Sequence, residues 1–439
     1  MIVQQTQVQP PMTSNHGTIG NSDRRMMLFD LSIRGHHPNY IQQLIHYWQH
    51  QKLAGTLTIV VSPKFLEEHA DVVDRATSVG QKTVHFVAIS TEEEAALKSR
   101  GSALNRFLRT FQEWQTLAKY AALYQATHCL IMYFDTCQLP LAFGSKSPCP
   151  FSGIYFRPTF HYGEFANHRS SWKKRLQQWR EKLLLAKVLS HSQFRTLFCL
   201  DPFAVEYLQQ RGESRVVHLA DPVQVDQVAA TPPAMLRETL GIDPGRQVFL
   251  FFGALTGRKG THQLLDAIEK LPDNLCQKLC LLLVGEIKAT EKAAVEAKIA
   301  ALCQSRPVQI VRHYEFVPDS EVPGYFQLAD VVLAPYQQHV GMSGILLLAA
   351  AAEKPVLSSD YGLMGEMVRQ YDLGIVVDST RSTEIANGIT QLLTNQNPVG
   401  DRAKMRFFAE QNSAEQYAKI IFQHLQSSPE LASGVGSGA

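Results

Sequence analysis

The stretch Val248-Phe249-Leu250-Phe251-Phe252-Gly253-Ala254-Leu255-Thr256-Gly257-Arg258-Lys259-Gly260 decides the fold. Its opening apolar run suits a strand buried on both faces, as in a parallel sheet. The loop behind it is rich in glycine and carries two adjacent cations, and a helical pattern follows over 261–270. The theme returns downstream. Gly341-Met342-Ser343-Gly344 leads into the apolar run 345–352, followed by Pro355-Val356-Leu357-Ser358-Ser359 and Gly362-Leu363-Met364-Gly365-Glu366. Short strands ending in glycine loops that feed helices describe a parallel sheet with ligands at its carboxyl edge. Loop N–H groups and helix dipoles favour an anion, Arg258 and Lys259 add charge, and the combination suits a diphosphate. It is not a P-loop, because the Gly-x4-Gly-Lys-Ser/Thr spacing is missing.

Outward from that stretch, strand patterns recur at 281–284, 308–311, 331–333, 356–357 and 374–377. A similar series precedes Thr231-Pro232-Pro233, with strands at 26–33, 56–61, 83–89, 129–134, 153–156, 195–200 and 216–219. Helical patterns cover 39–51, 103–125, 171–189 and 413–425. Two strand–helix series joined by a proline-rich linker predict an α/β protein of two doubly wound, Rossmann-like domains facing across a cleft. The expected boundaries are a disordered lead-in at 1–24, an N-terminal domain at 25–228 and a C-terminal domain at 229–410. A terminal helix at 411–426 and a loose tail at 427–439 complete the chain. A length of 439 residues is more than one core accommodates.

A net charge of +2 makes no case for nucleic acid as a partner. No uncharged apolar run reaches the roughly 18 residues of a spanning helix. The first residues lack an apolar signal core, so a cytoplasmic chain is expected. The seven cysteines are odd in number and mostly sit in apolar runs, which fits reduced thiols. Cys276 and Cys280 have helical spacing but no second pair, so no metal is expected there.

One segment, 171–189, is basic and amphipathic. Trp172, Leu176, Trp179 and Leu183 share a face, with Lys173, Lys174, Arg175, Arg180 and Lys182 around the rest. The expected arrangement buries the apolar face in the domain core. Peripheral contact with anionic lipid on the inner membrane face, or with a protein partner, are the alternatives. Elsewhere in this half, polar residues follow strands where a ligand would approach: Gly35-His36-His37, Asp135, Arg157 and His161. Asp135 and His161 are candidate catalytic groups; Gly35 and His37 are candidate donor contacts.

The C-terminal half resembles the group 1 (family 4-like) glycosyltransferases, which have the GT-B fold. The resemblance rests on Phe252-Gly253 with Arg258-Lys259-Gly260, on Val284-Gly285-Glu286, and on Phe316-Val317-Pro318-Asp319. It continues through Tyr325-Phe326, Ala329-Asp330-Val331 and Pro335, then 349–356, and Gly362 with Glu366. It implies a nucleoside diphosphate-sugar donor as co-substrate and no cofactor or metal. By the same resemblance, Arg258 and Lys259 match the diphosphate-binding pair. Gly253 lies beside them, Glu315, Phe316 and Val317 match the base-contacting strand end, and Gly341, Met342, Ser343 and Gly344 lie beneath phosphates and sugar. Glu366 is placed to meet a sugar hydroxyl. One departure is clear: Val340 and Leu348 stand where the family usually carries two glutamates. The implied activity is sugar transfer to a hydroxyl of a carbohydrate, lipid-linked or small-molecule acceptor, with retention. A non-catalytic sugar-nucleotide-binding protein and a sugar-nucleotide epimerase are the alternatives.

Overall fold

The computed structural model describes residues 23–33, 37–78, 83–97, 103–165, 171–222 and 229–426. The expected lead-in up to residue 22, the tail from 427, and Gly35 and His36 lie outside the described residues. The first sheet contains β1 (Arg25–Phe29), β2 (Thr56–Val61), β3 (Val84–Ala88), β4 (His128–Ile131), β5 (Phe151–Tyr155), β6 (Phe194–Cys199) and β7 (Val216–His218). The second contains β8 (Gln247–Phe252), β9 (Leu279–Val284), β10 (Gln309–His313), β11 (Val331–Ala334), β12 (Val356–Ser359) and β13 (Gly374–Val377). The strand orders are β3-β2-β1-β4-β5-β6-β7 and β10-β9-β8-β11-β12-β13. Every pairing within the two sheets is parallel.

Alternation along the central strands builds a core on each face of each sheet. In β1, Met26 and Leu28 enter one cluster while Met27 and Phe29 enter the other. In β8, Val248 and Leu250 pack on one side, Phe249 and Phe251 on the other. Both sheets reverse their winding once, between β1 and β4 and between β8 and β11. Connections leaving the two strands at such a switch point diverge to opposite faces, which opens a crevice at the carboxyl edge.

The terminal helix does not stay with the domain that precedes it. The helix Ala414–Gln426 buries Tyr417, Ile421, Phe422 and Leu425 in the first domain's core, against Ile41 and Trp48. Asn412 Oδ1 accepts from Asp221 N at 3.1 Å where the chain crosses back.

The structure corrects three readings. Cys276 ends the helix Asp273–Cys276 while Cys280 lies in β9, so they share no helix face. β1 stops at Phe29, because beyond it Asp30 turns its carboxylate to the Ser32 amide at 2.9 Å. The helix Trp172–Leu189 does not bury its apolar stripe. Trp172, Leu176, Trp179 and Leu183 are 71%, 50%, 58% and 49% exposed.

Candidate functional site

The loops after β8 and β11 lie at the C-terminal domain's switch point, joined by Gln337 N donating to Arg258 O at 2.8 Å. They carry the cations. Gly257–Lys259 forms a single 3-10 turn, closed by left-handed Gly260, that presents Arg258 and Lys259 on adjacent positions. Lys259 is only 8% exposed, and its Nζ donates to Phe252 O at 2.8 Å. Gly253 makes room for it: at φ +91°, a β-carbon there would sit 2.3 Å from Lys259 Nζ. Arg258 Nη1 lies 3.0 Å from His339 Nδ1. Both cations stand over the buried Tyr336 ring, Arg258 Cζ at 5.9 Å and Lys259 Nζ at 5.3 Å.

His339 is the hub of this arrangement. Its Nε2 lies 3.3 Å from Met342 O, so Nε2 carries the proton and Nδ1 accepts from Arg258. Burial is the largest effect and pulls its pKa down to about 4; the Met342 carbonyl opposes it, and the positive charges of Arg258, Arg157 and Lys259 each add a smaller push downward. A neutral imidazole among three cations is what a site awaiting an anion looks like. Among the described residues, Arg157, Arg258 and Lys259 form no ion pair with a carboxylate.

The Gly341 loop packs against the N-terminal domain. Gly341, at φ +94°, passes the end of β5 so closely that a β-carbon would lie 3.4 Å from Phe156 O and 3.7 Å from Arg157 Cγ. Its N–H donates to the Tyr162 hydroxyl of the N-terminal domain at 3.1 Å. Ser343 does not cap the helix Gly344–Ala351; its hydroxyl donates to Tyr336 at 3.3 Å instead. That leaves the first-turn amides of the helix without a side-chain cap, facing the loop. Val340 and Leu348, where the resemblance led one to expect glutamates, pack partly buried against the core.

The other sequence candidates divide. Phe316 is 71% exposed just beyond β10, with Glu315 exposed and Val317 buried beside it. Glu366 is held by Arg369 at 2.7 Å, one turn into the helix Gly362–Gln370. His37 Nδ1 lies 2.6 Å from buried Asp30, and its ring stacks on Phe156 at the N-terminal switch point. Asp135 spends both oxygens on the amides of Phe156 and Arg157, at 3.0 and 3.1 Å, and so holds the loop that carries Arg157. Burial pushes its pKa up to about 6 despite those bonds and Arg157. His161 is 2% exposed, boxed by Phe160, Tyr162 and Phe165. Its Nε2 stands 3.1 Å from Asp201 Oδ2, without the alignment of a hydrogen bond. The structure therefore brings Arg258, Lys259, Gly253 and the Gly341 loop together around Tyr336 and His339, whereas Asp135 and His161 are engaged within the N-terminal domain.

Sequence reasoning passed over Tyr162 and Tyr336 and gave His339 no role. Only the Gly-rich context of His339 hinted at proximity; the two tyrosines carry no local signal. A separate hollow of about 250 Å³ is lined by Glu93, Gln112, Thr116 and Lys119. Lys119 and Glu93 neutralise one another there at 2.7 Å, so it offers no uncompensated charge.

Two facing Rossmann-like sheets with this crevice define the GT-B class, and solved structures agree. The chain superposes on Anabaena HepE in complex with UDP and glucose with a TM-score of 0.61 at 14% identity, covering 92% of this chain and all of that one. Sucrose-phosphate synthase from Thermosynechococcus elongatus gives 0.64 at 15% identity, covering 92% and 98%. Residues 235–416 match the family model described as Glycosyl transferases group 1. Among curated relatives, D-inositol 3-phosphate glycosyltransferase of Rhodococcus erythropolis is 28% identical over 191 residues, 40% of this chain and 42% of that protein. Lipopolysaccharide glucosyltransferase WaaG of Escherichia coli is 28% identical over 203 residues, 46% and 49% of the two chains. The chain thus spans about half the length of the curated relatives it matches.

Proposed function

We propose that the protein moves a sugar from a nucleoside diphosphate-sugar to a hydroxyl acceptor, with retention at the anomeric carbon. The observation that carries this reading is the convergence of Arg157, Arg258 and Lys259 on neutral His339, beside the uncapped first turn of the helix Gly344–Ala351. In the reaction, the bond from the anomeric carbon to the diphosphate oxygen breaks and the acceptor oxygen bonds to that carbon. The acceptor proton leaves with the diphosphate. Charge grows on the departing diphosphate, and fixed cations with aligned amides stabilise growing charge without reorganising. Absence of the two glutamates shifts the burden of holding the donor to this cationic cradle and the Gly341 loop.

The match of this region to glycosyltransferases and the UDP complex of a fold relative support a UDP-sugar as the first donor to test. Thermal unfolding with UDP-, GDP-, ADP- and dTDP-sugars should single out one base. A ligand at about 100 times its Kd adds roughly 2.7 kcal/mol. With the responding donor, Arg258→Ala should slow transfer or donor hydrolysis about 10²-fold or more. Unchanged turnover in that variant would remove Arg258 from the reaction.

A further inference from the structure

The helix Trp172–Leu189 turns an apolar stripe away from the protein. On its inward side Leu185, Val188 and Leu189 anchor the last turns in the N-terminal core, while the earlier turns make polar contacts. Lys174 reaches Tyr361 of the second domain at 3.4 Å, and Glu181 accepts from Thr159 N at 2.8 Å and from the Tyr155 and Thr159 hydroxyls. Its outward side is apolar. At about 100° per residue, Trp172, Leu176, Trp179 and Leu183 fall within about 60° of arc. Lys173, Arg180 and Lys187 follow along one margin of that stripe, Arg175 and Lys182 along the other. Glu181 is the only acidic residue in the helix, and it points inward. Lys182 is engaged by the Tyr207 hydroxyl at 2.6 Å; the other four marginal cations form no ion pair with a carboxylate among the described residues.

Large apolar side chains kept in water cost free energy unless something covers them. We propose that this face docks on the headgroup region of an anionic lipid bilayer, with the helix lying in the plane of the interface. Charge selects the occupant. Two copies meeting across this stripe would bring two rims of cations together, whereas anionic headgroups neutralise both margins while the tryptophans enter the acyl boundary. The tryptophan rings are suited to that depth, being apolar bodies with one N–H donor. No helix among the described residues is long and apolar enough to cross a membrane, so the contact is peripheral. The same helix holds Thr159 through Glu181, three residues before Tyr162 meets Gly341, so docking would orient the cleft relative to the lipid surface. The proposal stands independently of the sugar-transfer reading.

The chain has four tryptophans, and Trp48 and Trp114 are buried. A fluorescence blue shift on adding vesicles therefore reports Trp172 and Trp179. The intact protein should shift and co-sediment with vesicles of phosphatidylcholine mixed with phosphatidylglycerol. It should bind pure phosphatidylcholine far less, and high salt should release it. Each cation removed should weaken binding about fivefold. The double variants Leu176→Gln/Leu183→Gln and Arg180→Glu/Lys187→Glu should keep the native Tm, since all four side chains are exposed, and bind at least about tenfold more weakly. Trp172→Phe/Trp179→Phe should still sediment with the vesicles but lose the blue shift. No sedimentation with anionic vesicles overturns the proposal, as does binding that survives both double variants. So does a concentration-dependent dimer that Leu176→Gln/Leu183→Gln abolishes in a protein that ignores lipid.

Discussion

Lys259→Met separates the cost of the buried cation from its use. In the unliganded protein, Lys259 is almost enclosed and its ammonium has one carbonyl, Phe252 O, and one ring face, Tyr336. Burying a cation with so little compensation costs several kcal/mol. The hydrogen bond returns about 1.5–3 kcal/mol, and the ring about 0.5–2 kcal/mol. Methionine fills the same volume, but leaves Phe252 O unpaired at about 1–3 kcal/mol. These terms nearly cancel, so unliganded stability should change by no more than about 1 kcal/mol, or about 2–4 °C in Tm. The ligand response should change far more. Truncating one partner of a buried charge pair costs about 2–5 kcal/mol; a loss of about 3 kcal/mol weakens binding about 150-fold. At a donor concentration that gives the native protein roughly 2.7 kcal/mol, the variant should gain only about 0.3 kcal/mol. Differential scanning fluorimetry with and without donor reads both quantities. A variant that keeps the full donor-induced rise refutes a diphosphate contact. One whose unliganded Tm falls by more than about 10 °C shows that the lysine is structural, since that far exceeds the cancelling terms.

Gly253→Ala should be worse than its one added methyl suggests. A residue with a side chain at φ +91° is strained by about 1–2 kcal/mol, and the new carbon also displaces Lys259 Nζ. Chemical denaturation should show that loss, and donor titration should show weaker binding. The folded-state pKa of His339, about 4, lies below its unfolded value, so its contribution is complete above about pH 6.5 and lost as pH falls towards 4. The loss should reach about 2 kcal/mol at pH 5. His339→Gln should flatten the fall in Tm between pH 7 and 5, and a variant with the unaltered slope would reject neutral His339. Tyr162→Phe removes the hydroxyl that accepts from Gly341 N, leaving a buried amide unpaired. Urea unfolding should show a loss of about 1–3 kcal/mol, and hydrogen exchange at 341–344 should speed up.

The sequence by itself determined the architecture. Apolar runs as short as Val248 to Phe252, bounded by glycine loops, suit doubly buried parallel strands, and the glycines told where each strand handed over to a helix. Arg258, Lys259 and the Gly341 loop were legible because each lies next to its own strand, and strand ends converge at a switch point by topology alone. What belongs to three dimensions is contact between loops far apart in the chain. The charge of Arg157 acts on His339 from the other domain, Tyr162 meets Gly341, and the terminal helix crosses back to Trp48. Asp135 read as an acceptor-side group, yet both its oxygens hold a neighbouring loop. The helix Trp172–Leu189 shows the limit most plainly. Periodicity locates an apolar stripe, but which side faces the protein depends on what lies opposite. Here Leu185, Val188 and Leu189 enter the core, the Thr159 amide, two hydroxyls and the Tyr361 ring hold Glu181 and Lys174 inward, and the tryptophans are left facing out.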